Sequence, residues 1–331
     1  MITNGDRGGR DLILADLRAA DKLVVITHEN PDGDAIGSLV GMQGILSALG
    51  KDCVMFISPQ DLPLPEEYSF IPLRGLVSEP PADLQQRTVV FLDCGNLDRN
   101  PAEAFRRPGT RILNIDHHHD NTRFGTVNLV VPTASCTAEI VWDLMGALDV
   151  EPRPAVAEAL YVGLITDTGR FMYENTGRRA HLMAADLIDS GVAVHDLYRR
   201  VYEGVPYGKL ALLARGLANV ERYDDGRLTM TQLSASDFQE SDAEESYSEG
   251  VIDHLRAVEG TAVAALVRAR MGDGRTDLRK VSLRASDKRI DVSAIARAQG
   301  GGGHRQAAGF TTGLDDHELV RFLREQLAAQ L

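Results

Sequence analysis

Three short runs of this 331-residue chain are apolar and rich in β-branched residues: Leu23-Val24-Val25-Ile26-Thr27, Thr88-Val89-Val90-Phe91-Leu92 and Arg111-Ile112-Leu113-Asn114-Ile115. Such runs lack the alternation of a half-exposed strand and suit strands buried on both faces of a parallel sheet. Each gives way at once to ionisable residues. The first meets His28-Glu29-Asn30-Pro31-Asp32-Gly33-Asp34, the second Asp93-Cys94-Gly95-Asn96, the third Asp116-His117-His118-His119. In open α/β sheets the carboxyl ends of strands line the ligand crevice, so the pattern predicts an α/β fold with these residues gathered at one edge.

Taken alone, each motif has a plain structural explanation. Asn30-Pro31-Asp32-Gly33 is a good turn by composition, and Asp34 opens an apolar helix that ends at Gly50. A lone His-His pair usually belongs to a core or a surface. Recurrence changes the balance. Pro152 to Ile165 reads as a helix running into a further element that ends at Thr166-Asp167-Thr168-Gly169, which makes Asp167 a fourth candidate. Hard divalent cations take carboxylate oxygens, and imidazole extends the range to Mn, Fe or Zn. A pair of ions needs a bridging carboxylate, terminal carboxylates and one or two imidazoles, which this set supplies.

Elsewhere the pattern predicts an opening amphipathic helix over Arg10 to Asp21 and a strand over Asp52 to Ser58. Pro59 to Pro81 holds six prolines and reads as an irregular excursion in which Tyr68 and Phe70 anchor their own loop. Helices are expected over Asp186 to Tyr198 and Tyr207 to Val220. Arg227 to Leu233 is a strand, and Ala235 to Glu249 a solvated helix start or flexible surface. Thr261 to Arg270 and Leu278 to Ala285 pair around a Met271-Gly272-Asp273-Gly274 turn, and a helix over Ile290 to Gln299 leads into a glycine run. The length favours two domains; their expected bounds are 1–200 and 222–331, with a helical connector at 201–221.

The formal net charge of −13 opposes wrapping around long duplex nucleic acid, which is driven by phosphate neutralisation. It leaves room for a small phosphorylated substrate met by bound cations. No apolar stretch approaches the ~20 residues of a membrane span, so no membrane partner is expected. Met1 to Arg10 lacks the apolar core of a signal peptide. Cys53, Cys94 and Cys136 are scattered and without Cys-x-x-Cys spacing, as in reduced thiols of a cytoplasmic protein.

The set His28, Asp32, Asp34, then Asp93, then Asp116-His117-His118, then Asp167, resembles the DHH phosphoesterase superfamily motif by motif. Gly300-Gly301-Gly302-Gly303-His304-Arg305-Gln306-Ala307-Ala308-Gly309 resembles the signature of its DHHA1 domain. Spacing and domain order are most similar to the nano-RNase branch, bifunctional oligoribonucleases and pAp phosphatases. The resemblance implies an N-terminal DHH domain with a mostly parallel sheet flanked by helices, and a smaller α/β DHHA1 domain with a mixed sheet. It implies that His28, Asp32 and Asp93 hold one metal, and that Asp34, Asp93, His117 and Asp167 hold a second, with Asp93 bridging. Mn2+ is the family's usual ion, with Mg2+ or Co2+ as substitutes. Asp93, Asp116 and His118 form the implied catalytic group, in which His118 faces the substrate phosphate and Asp116 orients the histidines. Arg284, Gly302, Gly303, His304 and Arg305 are implied substrate contacts in a cleft between domains; Arg268 is a weaker candidate, and His119 has no assigned role.

The reaction so implied is hydrolysis of a phosphoester by activated water, with short oligoribonucleotides, dinucleotides such as pApA, cyclic-di-AMP and pAp as substrates. Members commonly pair through the first domain, so a homodimer is an open expectation. An inorganic pyrophosphatase, a RecJ-type single-strand exonuclease and a nucleotide sensor without turnover remain as alternatives. The glycine signature disfavours the first, the acidic charge the second, and the filled ligand positions the third.

Overall fold

The computed structural model describes residues 7–99, 103–106, 109–269 and 278–331. The chain divides into two compact units, Met1–Gly204 and Val205–Leu331. In the first unit the chain runs α1 (Arg7–Ala19), β1 (Lys22–Ile26), α2 (Gly33–Ala48), β2 (Asp52–Phe56), β3 (Leu76–Val77), β4 (Thr88–Leu92), β5 (Ile112–Asp116) and β6 (Val127–Val130). Four helices follow: α3 (Thr137–Ala147), α4 (Pro154–Asp167), α5 (Arg178–Asp189) and α6 (Val194–Tyr202). The six strands form one sheet in the order β3-β2-β1-β4-β5-β6, and every pairing is parallel.

Strand order reverses between β1 and β4, so the connections leaving these two neighbours diverge and open a crevice at their carboxyl ends. The short apolar runs are buried on both faces. Leu23, Val25, Val90, Leu92, Leu113 and Ile115 join the larger core with residues from all six helices. Val24, Ile26, Val89, Phe91 and Ile112 face a smaller core closed by Phe56 and Phe105, whose rings meet edge to face at 4.9 Å. Alternate residues of one strand therefore serve two cores, which explains runs without polar breaks.

The structure corrects several expectations. α4 is one continuous helix whose last residue is Asp167, so this carboxylate comes from a helix end and not from a further element. The helix expected over Asp186 to Tyr198 is two, α5 and α6, broken where Gly191 takes a φ of +104°. The proline-rich excursion holds the short edge strand β3. Within it Tyr68 and Phe70 pack partly buried against the main core, as anchors of their loop, and the Arg200 guanidinium lies 4.5 Å from the Phe70 ring centre. β6 and α3 had no sequence-based expectation.

The second unit comprises α7 (Tyr207–Ala218), β7 (Glu221–Tyr223), β8 (Leu228–Leu233), α8 (Ala235–Glu240), α9 (Val251–Arg256), β9 (Val263–Ala269), β10 (Arg279–Ala285), α10 (Val292–Arg297), β11 (Gly302–His304), β12 (Ala307–Thr312) and α11 (Asp316–Ala328). Its sheet is mixed, in the order β11-β12-β10-β9-β8-β7, with β8–β9 the parallel pair. β9 and β10 pair antiparallel as expected, and the turn expected at Met271–Gly274 lies outside the described residues. The acidic stretch after Leu233 opens as the expected helix start, mostly exposed, and it is anchored. Ser234 and Asp237 form a reciprocal capping box on α8, and Phe238 is wholly buried. The glycine run is not a free loop: Gly302–His304 pairs with Ala307–Thr312 as the edge hairpin of the sheet. Gly301 is required there, because an added Cβ would strike the Gly309 carbonyl oxygen.

Candidate active site

The residues predicted from strand ends converge at the β1/β4 crevice. Three groups of donors form there, each with its ligand atoms within 4.8 Å of one another: His28, Asp32 and Asp93; Asp34, His117 and Asp167; and Asp93, His117 and His118. Asp93 and His117 each belong to two groups, so the centre is continuous. His28 Nε2 lies 3.5 Å from Asp93 Oδ2, and His117 Nε2 lies 3.6 Å from Asp93 Oδ1 and 3.7 Å from Asp167 Oδ2. The two oxygens of Asp93 thus face different histidines. These separations are long for hydrogen bonds but suit two donors that share one cation at bonds of about 2.1 Å.

Local structure aims each side chain. Asp32 is the N-cap of α2, its Oδ1 accepting the amides of Asp34 and Ala35 at 3.1 Å each. Asp93 turns out of β4 with φ +56°, a left-handed conformation that Asp tolerates better than most residues and that redirects its side chain. His28 Nδ1 lies 2.6 Å from the Glu29 carbonyl oxygen, which fixes the proton there and leaves Nε2 as the nitrogen that could hold a cation. Asp116 ends β5 fully buried. Its Oδ1 accepts the His117 amide and faces His118 Nδ1, both at 2.8 Å, and its Oδ2 accepts from Asn121 at 2.5 Å. His118 turns Nδ1 toward Asp93 Oδ1 as well, at 3.7 Å, so the ring nitrogen that faces the donor set is the one that Asp116 holds. His119 is exposed.

Electrostatics mark the site as built for cations. Burial, and then the charges of Asp93, Asp167 and Asp32, push the Asp34 carboxyl well above the usual range, against the Ala138 amide. Burial also pushes Asp167 up to about 6, with Asp93 and Asp32 adding to it and His117 opposing. For Asp93, burial is outweighed by close contact with His28 and the fields of His117 and His118, which hold its carboxyl below the carboxylate range. Among the described residues the ion-pair partners of Asp93 and Asp167 are imidazoles, not lysine or arginine. Crowded carboxylates without a cationic side chain fit a divalent metal site.

Some contributors carry no strand-end signal in the sequence. The Thr137 and Ala138 amides donate to Asp34 at 2.6 and 2.8 Å, Thr137 Oγ1 donates to Asp93 at 3.0 Å, and Asn175 Nδ2 donates to Asp167 Oδ2 at 3.3 Å. Their nearest hint is the Ser135-Cys136-Thr137 cluster opening an apolar helix. The remaining predicted residues belong to the second unit. Arg284 lies on β10 opposite Ala264 and Ala307 and donates to the Leu283 carbonyl at 3.1 Å. Gly302, Gly303 and His304 form β11; the His304 side chain lies outside the described set. Arg305 donates to the Lys288 and Arg289 carbonyls at 3.1 and 3.2 Å, stapling a neighbouring loop. Arg268 hydrogen-bonds Ser248.

Comparison with known proteins identifies the family. The model of the DHH family, N-terminal domain, matches residues 22–164, and the DHHA1 domain model matches residues 227–329. A Thermus thermophilus protein named bifunctional oligoribonuclease and PAP phosphatase NrnA is 35% identical over 314 residues, covering 93% of this chain and 90% of that protein. In structure, an exopolyphosphatase-related protein from Bacteroides fragilis superimposes with a TM-score of 0.86 at 24% identity, covering 98% of this chain and 96% of that one. RecJ from Thermus thermophilus, in complex with Mn2+, shares the fold more distantly, with a TM-score of 0.54 at 18% identity over 99% of this chain and 55% of that one. With both domain models matched and a relative of that identity along nearly its whole length, the chain belongs to the DHH family and carries a DHHA1 domain, in a family of hydrolases that act on phosphoester bonds.

Proposed function

We propose that this protein hydrolyses short oligoribonucleotides and dinucleotides such as pApA, and removes the 3′-phosphate of pAp (3′-phosphoadenosine 5′-phosphate), with cyclic-di-AMP as a further substrate. The observation that carries this reading is the continuous donor set in which Asp93 and His117 are shared between groups. The Thermus thermophilus relative named for oligoribonuclease and PAP phosphatase activity supports the substrate class.

In this reading His28, Asp32 and Asp93 hold one divalent ion, and Asp34, Asp93, His117 and Asp167 a second, with Mn2+ the proposed ion and Mg2+ or Co2+ as substitutes. Bound there, the ions supply an acidified water and neutralise charge on the phosphate oxygens. The chain's own residues do the rest. His118 faces the phosphate and offsets developing charge, its ring held through Nδ1 by Asp116. Asn121 and the His117 amide hold Asp116 in turn, so the imidazole needs little reorganisation during reaction. Arg284, Gly302, Gly303, His304 and Arg305 are proposed substrate contacts.

A hydrolysis panel with Mn2+ tests the proposal, using pAp, a 5′-phosphorylated RNA dinucleotide, a short RNA, cyclic-di-AMP and pyrophosphate. Turnover of dinucleotide and pAp without pyrophosphate is the expected result. Turnover of pyrophosphate alone overturns the substrate assignment.

A further inference from the structure

We infer that the turn over residues 135–138, with Thr137 at its centre, sets three of the four donor carboxylates, and that Thr137 and Asn175 are positioning residues of the metal centre. The inference rests on the two-metal reading above and deepens it. Thr137 is wholly buried. Its amide donates to Asp34 Oδ2 at 2.6 Å, the next amide, of Ala138, donates to Asp34 Oδ1 at 2.8 Å, and its hydroxyl donates to Asp93 Oδ1 at 3.0 Å. One residue therefore touches a carboxylate from each of two donor groups. The third carboxylate is reached through Asn175, whose amide nitrogen donates to the Ser135 carbonyl at 2.8 Å and to Asp167 O and Oδ2 at 3.1 and 3.3 Å.

Two features separate this arrangement from ordinary core packing. The N-cap of α3 is Cys136, whose side chain makes no capping bond, and the first two helical amides go instead to Asp34 from another helix. The donors that a local cap would satisfy are spent on a ligand carboxylate, with the positive end of the helix dipole behind them. The hydroxyl is also unusual in its target. Thr166 on α4 and Thr168, the residue that follows it, bond back to the carbonyls of Val162 and Leu164, the common habit of threonine in helices. Thr137, at the first position of its helix, gives its proton to a carboxylate that follows β4.

The turn is itself braced. Buried Glu139 accepts from the Ser135 amide at 3.0 Å and the Ser135 hydroxyl at 2.7 Å, and Arg179 Nε donates to it at 2.8 Å. Asp143 and Arg10 extend the chain of ion pairs to α1. A carboxylate fixed by several donors before the cation arrives loses less freedom on binding, which is why partners of ligand residues tune metal affinity.

The test is Mn2+ titration of metal-free protein by calorimetry, with thermal melting and kinetics alongside. Thr137→Val removes the hydroxyl and keeps the amides and the shape. The expected result is a folded protein in which one Mn2+ site weakens by about 10–100-fold and kcat falls at limiting Mn2+. Thr137→Ser should restore affinity close to wild type, and Asn175→Ala should weaken binding in the same direction as Thr137→Val. A Thr137→Val isotherm identical to wild type overturns the inference while leaving the two-metal reading intact. Wild-type protein that takes up no Mn2+ overturns both. Should Thr137→Val fail to fold, Asn175→Ala decides by the same comparison.

Discussion

Asp116 Oδ1 and His118 Nδ1 lie 2.8 Å apart, with Asp116 fully buried and His118 partly exposed. The carboxylate thereby fixes the tautomer and orientation of an imidazole that stands at the edge of the donor set. Asp116→Asn keeps the shape and removes the charge that supports the ring. The expected outcome is a fall in kcat of about 10–100-fold with bound metal unchanged, the usual scale for losing a partner of a site histidine. Steady-state kinetics beside metal analysis by atomic absorption check it; an unaltered kcat would remove Asp116 from the mechanism.

Asp93 is the residue whose loss should be felt by both ions. Asp93→Asn suits the left-handed backbone at φ +56°, since Asn tolerates that region as Asp does. Circular dichroism should therefore match wild type while calorimetric Mn2+ binding collapses at both sites. Retention of one full-affinity site would show that Asp93 does not bridge.

A pH signature belongs to Asp167 in metal-free protein. Its folded value, about 6, stands above the unfolded 3.8, so the charged form is disfavoured by folding. The destabilisation is absent below the unfolded value, develops as pH rises between the two, and is complete above the folded one. Asp167→Asn should raise the melting temperature of metal-free protein at pH ~7.5 by a few degrees, with the gain shrinking as pH falls through the folded value towards the unfolded one. With saturating Mn2+ the order should invert, because the wild type then gains binding energy that the variant lacks. Scanning calorimetry at several pH values in EDTA and in Mn2+ reads both signs; a variant never more stable than wild type in EDTA counts against the charge crowding described above.

Gly163 lets α4 approach α2 and α3 beside the site. An added Cβ would lie 2.9 Å from Ala138 Cβ and 3.0 Å from Asp34 Oδ1. Alanine is the better helix former by about 1 kcal/mol, yet overpacking here should leave Gly163→Ala less stable by about 1–3 kcal/mol. Activity should fall with it, since Asp34 is one of the residues pushed. Thermal denaturation and kcat give the answer; a more stable and fully active variant would show that the helices part without cost.

The sequence by itself determined the buried strands, their parallel character and the ionisable residues that follow them. Side chains alternate across a sheet, so a strand buried on both faces must be written as an unbroken apolar run, and that is a local signal. Asp32 and Asp34 were legible for the same reason, sitting in a strand-to-helix turn. Asp167 was found from its motif but given the wrong surroundings, because the apolar stretch from Ala159 to Ile165 is as consistent with a buried helix as with a helix running into a strand. Only the tertiary structure decided which strands are neighbours, and hence that His28 and Asp93, 65 positions apart in the chain, meet within 3.5 Å. Only it decided that the amides of α3 serve Asp34, 103 residues earlier, and not a cap of their own. Backbone donors are present at nearly every residue, and their partners are chosen by packing, which no local pattern of side chains records.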